Sequence, residues 1–257
     1  MSYKAAMDET YTYKRPASLV DVPTHYCEGC GHGIIHKLIA ECIDELGIVE
    51  DTILIAPVGC AVLAYNYLAV DSSEAAHGRV PAVATGIKRV HKDKVVIAYQ
   101  GDGDLLAIGT AETVHAANRG ENITVVFVNN AIYGMTGGQM APTSLAGQVT
   151  KTSPLGRNPL DVGYPIRACE LLNTLERPVF IERCSVHDVK HVIKTKKAIK
   201  KGIENQIAGK GYSFIEILSM CPTNWGMKPP EAAAWVAESM ASYYPIQNFR
   251  DRQGAEE

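Results

Sequence analysis

Apolar positions first recur at helical spacing. Ile34, Ile35, Leu38, Ile39, Cys42, Ile43 and Leu46 share one face, and Gly47 stands where that helix would end. Short apolar, β-branched runs then alternate with further helical stretches. Residues 52–56, 94–99, 123–128, 179–183 and 212–218 read as buried strands. Residues 80–91, 105–119 (stopped by Gly120), 161–174, 186–208 and 231–243 read as helices. This alternation predicts an α/β fold, a mostly parallel sheet with helices on both faces. Between strand 123–128 and helix 161–174 lies a polar, Gly/Pro-rich stretch at 129–159, and a loop of that length inside an α/β unit is usually functional. Residues 1–25 lack periodicity and read as an extended arm, 26–245 as one domain, and 246–257 as a charged tail, frayed from Arg250.

The run 53–70 approaches the length of a membrane span. Pro57, Gly59 and Asn66 interrupt it, and Asp51 and Asp71 bound it, so a buried strand, a turn and a short helix is the better reading. Residues 1–23 are polar and mixed in charge, without the apolar core of a secretion signal, so a cytoplasmic protein with no membrane association is expected. The net charge of −3 offers no broad basic field for nucleic acid. Seven cysteines, an odd number, argue against a disulfide framework and leave reduced thiols to bind metal.

Two constellations carry candidate chemistry. The strand at 94–99 runs into Gly101-Asp102-Gly103-Asp104, and a helix follows. Glycines at such a turn let backbone amides approach a phosphate, and the helix N-terminus favours negative charge. Asp102 is placed to reach a cation on that phosphate. The next strand ends in Asn129-Asn130, so both clusters lie at the C-terminal ends of parallel strands, where ligands bind in open α/β sheets. Oxygen donors of this kind suit Mg²⁺. Gly-Asp-Gly alone is also a common turn. Residues 104–128, however, allow one helix and one returning strand, which brings the two ends together. This spacing resembles the thiamine diphosphate signature of pyruvate decarboxylases, transketolases and 2-oxoacid:ferredoxin oxidoreductases. The resemblance implies that Asp102 and Asn130 bind Mg²⁺ through side chains and Ile132 through its carbonyl, with Asn129 structural.

The second constellation begins with Cys27-Glu28-Gly29-Cys30. A zinc knuckle, a redox pair and unligated thiols are all open readings, whereas haem attachment fails because His32 is not adjacent to Cys30. A four-coordinate site needs two more thiolates. Cys60 follows the first strand and Cys221 the last, with Pro222 turning the chain. Cys42, Cys169 and Cys184 read as packing residues. Four thiolates alone do not separate zinc from an iron–sulfur cluster.

From Tyr26 to about Pro245 the chain resembles the β subunit of 2-oxoacid:ferredoxin oxidoreductases, of the 2-oxoglutarate or branched-chain type. The matching blocks are YCEGCGHGIIHKLIAE, PVGC, AHGRVPAVATGIK, GDGDLLAIG, VNNAIYGMTGGQ and CPTNWGM. The resemblance implies one [4Fe–4S] cluster on Cys27, Cys30, Cys60 and Cys221. It implies that Val58, Gly59, Cys60, Ala61, Gly101, Gly103, Asp104, Gly134, Met135 and Thr136 line thiamine diphosphate, and that His77 is catalytic, near the reacting carbon. The implied reaction is oxidative decarboxylation of a 2-oxoacid to acyl-CoA and CO₂, with coenzyme A as acceptor and electrons passed singly through the cluster to ferredoxin. An α subunit would supply the glutamate that activates the cofactor, with γ and ferredoxin-like δ subunits in the assembly, so this chain alone should be inactive. Glu28 departs from the family, which usually carries proline there; it is expected to face solvent.

The rival readings are a non-oxidative thiamine diphosphate decarboxylase or ligase with structural zinc, and a cofactor-free zinc-stabilised scaffold. His25, His32, His36 and His115 read as polar contacts, because His32 and His36 lack a third ligand at suitable spacing. The lysines from Lys190 to Lys201 read as a solvated helix face, able to help dock an acidic ferredoxin.

Overall fold

Burial of apolar faces sets the element boundaries. The structure, a computed structural model, describes residues 14–252. Helix α1 (Gly31–Leu46) buries Ile35, Leu38, Ile39, Cys42 and Ile43, and Gly47 ends it in the left-handed conformation with φ 65°. There follow β1 (Thr52–Ala56), β2 (Asp71–Glu74), α2 (Val80–Val90) and β3 (Val95–Gly101). A π-helical turn at Asp104–Ile108 precedes α3 (Thr110–Arg119), and β4 is Thr124–Asn129. Beyond the long loop lie α4 (Pro159–Val162), α5 (Ala168–Asn173), β5 (Phe180–Ser185), α6 (Val189–Ile207) and β6 (Ser213–Leu218). Short helices α7 (Pro222–Trp225), α8 (Pro229–Trp235) and α9 (Ala241–Tyr243) lead to β7 (Asn248–Asp251).

The strands form one seven-stranded sheet in the order β2-β1-β3-β4-β6-β5-β7, parallel except for β7 against β5. Successive residues of each central strand serve opposite faces. Val95, Ile97 and Tyr99 of β3 and Val126 and Val128 of β4 pack in the core that includes α1 and α6. Val96, Ala98, Val125 and Phe127 pack in the core that includes α2, α3 and α5. Both faces are covered, as the alternating pattern predicts. The parallel strands β1, β3, β4 and β6 lie side by side, so the segments leaving them, 57–60, 101–104, 129–136 and 219–224, share one edge.

Several local expectations are corrected. The helix expected at 105–119 is broken at Gly109, between the π-helical turn and α3; a Cβ there would lie 2.4 Å from the Asp104 carbonyl oxygen and 2.8 Å from that of Gly78, so the break accommodates only glycine. The helix expected at 161–174 is two pieces; Gly163, with φ 77°, ends the first, and Pro165 follows it in the extended link. The frayed tail expected from Arg250 is instead ordered to residue 252: Arg250 donates to the carbonyls of Leu175, Pro178 and Asn173, and β7 pairs with β5. Residues 1–13 of the arm and 253–257 of the tail lie outside the described residues. The described part of the arm is tied to α1, where the Asp44 carboxylate accepts from the Ala17 and Ser18 amides at 2.5 and 3.1 Å. The lysine face of α6 is partly an ion-paired seam: Lys196 meets Glu41 and Glu45 at 2.8 and 2.6 Å, and Lys200 meets Glu45 at 2.9 Å. Among the described residues, no helix is long and apolar enough to cross a membrane.

Candidate active site and cysteine cavity

The end of β3 and the end of β4 meet at Asp102. Gly101 stands opposite Val128 in the β3–β4 register, which puts Asn129-Asn130 beside Gly101-Asp102. Asp102 is buried; its Oδ2 accepts from the Ile132 amide at 3.2 Å and from Thr143 Oγ1 at 2.6 Å. The Asn130 side-chain oxygen lies 2.8 Å from the Ile132 carbonyl oxygen and 3.3 Å from Asp102 Oδ2. In this amide orientation three oxygens face one another. Turning the amide over would convert both approaches to N–H donation; a divalent cation would hold the donors as they stand. Burial pushes the Asp102 carboxyl up to about 6, against hydrogen bonds from Thr143, Gly103 and Ile132 that favour its charged form. A positive ion at this corner would compensate that charge.

A cleft of about 180 Å³ opens beside the corner. It is lined by Val58, Gly59, Cys60, Ala61, Gly101, Gly103, Asp104, Gly134, Met135 and Thr136, the residues expected to line thiamine diphosphate, together with Asp102, Asn130 and Ile132, expected at Mg²⁺, and His77, expected to be catalytic. A Cβ on Gly59 or Gly101 would meet nothing within 4 Å, so both backbones border open space. At Gly103 the reverse holds: a Cβ would sit 2.0 Å from Tyr133 Cε1. His77 is oriented from behind. Its Nδ1 lies 2.7 Å from Asp104 Oδ1, which also accepts from the Gly78 amide at 2.8 Å, while Asp104 Oδ2 accepts from Gln100 Nε2 at 2.6 Å. That pairing fixes the tautomer and leaves Nε2 for chemistry. His32, Pro57 and Tyr133 also line the cleft.

Thr143 and Gln100 went unrecognised in the sequence. Gln100 had a readable signal, a polar residue ending an otherwise apolar strand; Thr143 had only its place in the long loop. The four cysteines gather at a second cavity of about 170 Å³, lined by Cys27, Cys30, Cys60, Cys221, His25, Tyr26, Asn130, Gly134, Met135, Pro222, Thr223 and Asn224. The Cys-x-x-Cys turn is tied to the end of β6 by the Gly31 amide on the Met220 carbonyl at 3.4 Å. Burial pushes the Cys30 and Cys60 thiols up to about 12, and the charge of neighbouring cysteines adds to it. Among the described residues, no three of these sulfurs come within 4.8 Å of one another. Glu28 is exposed. Cys60, Asn130, Gly134 and Met135 border both cavities, and a Cβ on Gly134 would lie 3.0 Å from Cys60 Sγ and 3.5 Å from Cys221 Sγ. One wall separates the two spaces. The remaining cysteines, Cys42, Cys169 and Cys184, are buried elsewhere.

Residues 57–217 match the family model described as thiamine pyrophosphate enzyme, C-terminal TPP binding domain. The chain is also similar to the 2-oxoglutarate synthase subunit KorB of Methanocaldococcus jannaschii, 39% identical over 208 residues that cover 80% of this chain and 72% of that protein. The chain belongs to the β-subunit family of 2-oxoacid:ferredoxin oxidoreductases. This β-family chain is also similar to the ketoisovalerate oxidoreductase subunit VorA of Methanothermobacter thermautotrophicus, 54% identical over 245 residues. That match covers 95% of the chain and 51% of VorA, so the chain spans about half the length of that relative. A solved structure, the 2-oxoglutarate:ferredoxin oxidoreductase from Magnetococcus marinus with 2-oxoglutarate, coenzyme A and succinyl-CoA bound, matches with TM-score 0.76. It covers 95% of this chain and 87% of that one, and at 24% identity the likeness is one of fold.

His32 and His36 make polar contacts in the β-family chain. His32 Nδ1 lies 2.7 Å from Tyr99 OH, and His36 Nε2 lies 2.8 Å from Tyr26 OH. Burial lowers them to about 4 and about 3, so both are neutral at physiological pH.

Proposed function

We propose that this chain is the thiamine diphosphate-, Mg²⁺- and cluster-bearing subunit of a cytoplasmic 2-oxoacid:ferredoxin oxidoreductase that converts a 2-oxoacid and coenzyme A to acyl-CoA and CO₂. The observation that carries the reading is the shared wall: a phosphate-type cleft and a four-cysteine cavity both bordered by Cys60 and Gly134. Bound thiamine diphosphate supplies the carbanion chemistry that releases CO₂, and a bound [4Fe–4S] cluster accepts electrons one at a time. Asp102, Asn130 and the Ile132 carbonyl would hold Mg²⁺. Gly59 and Gly101 leave room for the diphosphate beside it. His77, held at Nδ1 by Asp104, would bind or move a proton at Nε2 near the reacting carbon.

Cys27, Cys30, Cys60 and Cys221 would hold the cluster. Membership of the oxidoreductase family favours a cluster over structural zinc, and with it the oxidative reaction over a zinc-bearing decarboxylase. Higher identity to a ketoisovalerate oxidoreductase subunit than to a 2-oxoglutarate one favours a branched-chain 2-oxoacid, with 2-oxoglutarate second. An α subunit would supply the activating glutamate, with γ and ferredoxin-like δ subunits completing the path to ferredoxin. Anaerobic co-purification with partner subunits, metal analysis and ferredoxin-linked assays on a 2-oxoacid panel test this. Iron and ferredoxin reduction fastest with a branched-chain acid are expected; zinc without iron, or equal turnover with no electron acceptor, would overturn it.

A further inference from the structure

Asn129 ends β4, yet its side chain turns away from the cation corner. Nδ2 donates to Glu216 Oε1 at 2.8 Å, and Oδ1 accepts from the Ala131 amide at 3.2 Å. Glu216, fully buried on β6, accepts from Arg183 Nε through its other oxygen at 2.8 Å. Arg183 is its register partner on β5, also fully buried. The remaining Arg183 donors go to the Glu170 carboxylate at 3.1 and 2.5 Å and to the Pro245 carbonyl at 3.2 Å. Packing does not require this arrangement, since an apolar group of similar volume generally serves a core at least as well as a buried ion pair.

What it does fix is direction. A carboxylate only accepts, so Glu216 dictates that Asn129 turns its NH₂ toward β6 and its oxygen toward the Ala131 N–H. Ala131 is the one non-glycine among the described residues with positive φ, 55°. Its conformation decides where Asn130 and Ile132, on either side of it, point. The Ala131 carbonyl is held in turn by Ser144 Oγ at 2.6 Å and Gln148 Nε2 at 2.9 Å.

We infer that Arg183, Glu216 and Asn129 form a buried positioning relay that holds Ala131 in its left-handed turn and thereby aims the Asn130 side chain and the Ile132 carbonyl at the divalent cation, an inference that rests on the cation site proposed above. None of the three touches the cation; each acts through the next.

The test uses the full chain assembled with its partner subunits and Mn²⁺ as the probe, with thiamine diphosphate present, read by electron paramagnetic resonance. Glu216→Gln and Asn129→Asp each break the Asn129–Glu216 polarity and are expected to weaken Mn²⁺ binding about 10- to 100-fold and to change the hyperfine pattern, as groups behind metal ligands commonly do. The double variant exchanges the roles. The carboxylate introduced at position 129 accepts from the amide introduced at position 216 and still accepts from the Ala131 N–H, while that amide keeps its oxygen for Arg183. The double variant is expected to recover affinity and the original spectrum. A general loss of packing would not be repaired by this exchange. Single variants that bind Mn²⁺ like the wild type, or a double variant no better than either single, would overturn the relay. Where a single variant fails to assemble, the double decides: assembly with native binding supports the relay, and its failure overturns it. Wild-type protein that does not bind Mn²⁺ with thiamine diphosphate would sink the cation site itself, and the relay with it.

Discussion

At the scale of single residues, the proposed cation corner around Asp102 would trade stability for a ligand. A buried carboxylate without a cationic partner is costly, and here hydrogen bonds from Thr143 and from the Ile132 and Gly103 amides offset only part of that cost. Asp102→Asn removes the charge at nearly constant volume. The cation-free variant is expected to unfold at a higher temperature than the wild type, while its Mn²⁺ affinity falls by at least about 100-fold, no less than removal of a group behind a ligand would cost. Differential scanning fluorimetry with and without Mn²⁺ reads both; a variant that is destabilised when cation-free, or that binds normally, contradicts this account. The convergence of Asp102 and Asn130 was legible because each follows an apolar strand at a spacing that allows one helix between them. Thr143 was not, because a hydroxyl that reaches across from a long loop leaves no periodic trace.

At the scale of elements, strands buried on both faces announced themselves, and edge strands did not. β2 is the polar tetrapeptide Asp71–Glu74, and β7 carries Asn248, Arg250 and Asp251. The break at Gly109 was hidden for another reason: helical periodicity continues through it, and the close approach of the Gly78 backbone, which leaves room only for glycine, has no trace in that periodicity. Helix α1 shows what pattern can yield. Its apolar face was read correctly, but His32 and His36 turn out to be buried toward Tyr99 and Tyr26 in a stack of rings, with His36 Nδ1 lacking any partner. Burial, with help from His32 and His25, lowers His36 from 6.5 to about 3. Below 6.5 the unfolded chain takes up a proton that the native helix refuses, so this contribution is complete above 6.5 and is lost as pH falls toward 3. Each such histidine tilts stability by about 1.4 kcal/mol per pH unit in that window. Urea midpoints between pH 6.5 and 4 should fall accordingly, and His36→Gln, which keeps an acceptor for Tyr26, should flatten the slope by one histidine's share. An unchanged slope would show that His36 does not carry it.

At the scale of the whole molecule, the placing of both constellations followed from one rule, that ligands gather at the carboxyl ends of parallel strands. The ends of β1, β3, β4 and β6 could be read from the chain, and so could the meeting of the β3 and β4 ends; the place of β1 and β6 on either side of them could not, because strand order leaves no trace in local periodicity. Adjacency is what makes the two cavities a unit. Cys221 belongs to one side of the shared wall only: its Sγ accepts from Asn224 Nδ2 at 3.3 Å, and it does not line the cleft that holds Asp102. Cys221→Ser should therefore separate the two functions. Serine keeps the size and the Asn224 contact but is a poor ligand for iron in a thiolate set. In the assembled, anaerobically purified complex, iron content should drop and ferredoxin reduction should fall sharply, while Mn²⁺ affinity with thiamine diphosphate stays at the wild-type value. Release of CO₂ from the 2-oxoacid should outlast electron delivery, since the groups proposed to hold the reacting carbon remain in place. If the variant kept its iron and reduced ferredoxin at the original rate, Cys221 would not be a ligand. If it lost Mn²⁺ binding together with iron, the wall would be a structural support common to both cavities, and the division of labour across it would be wrong.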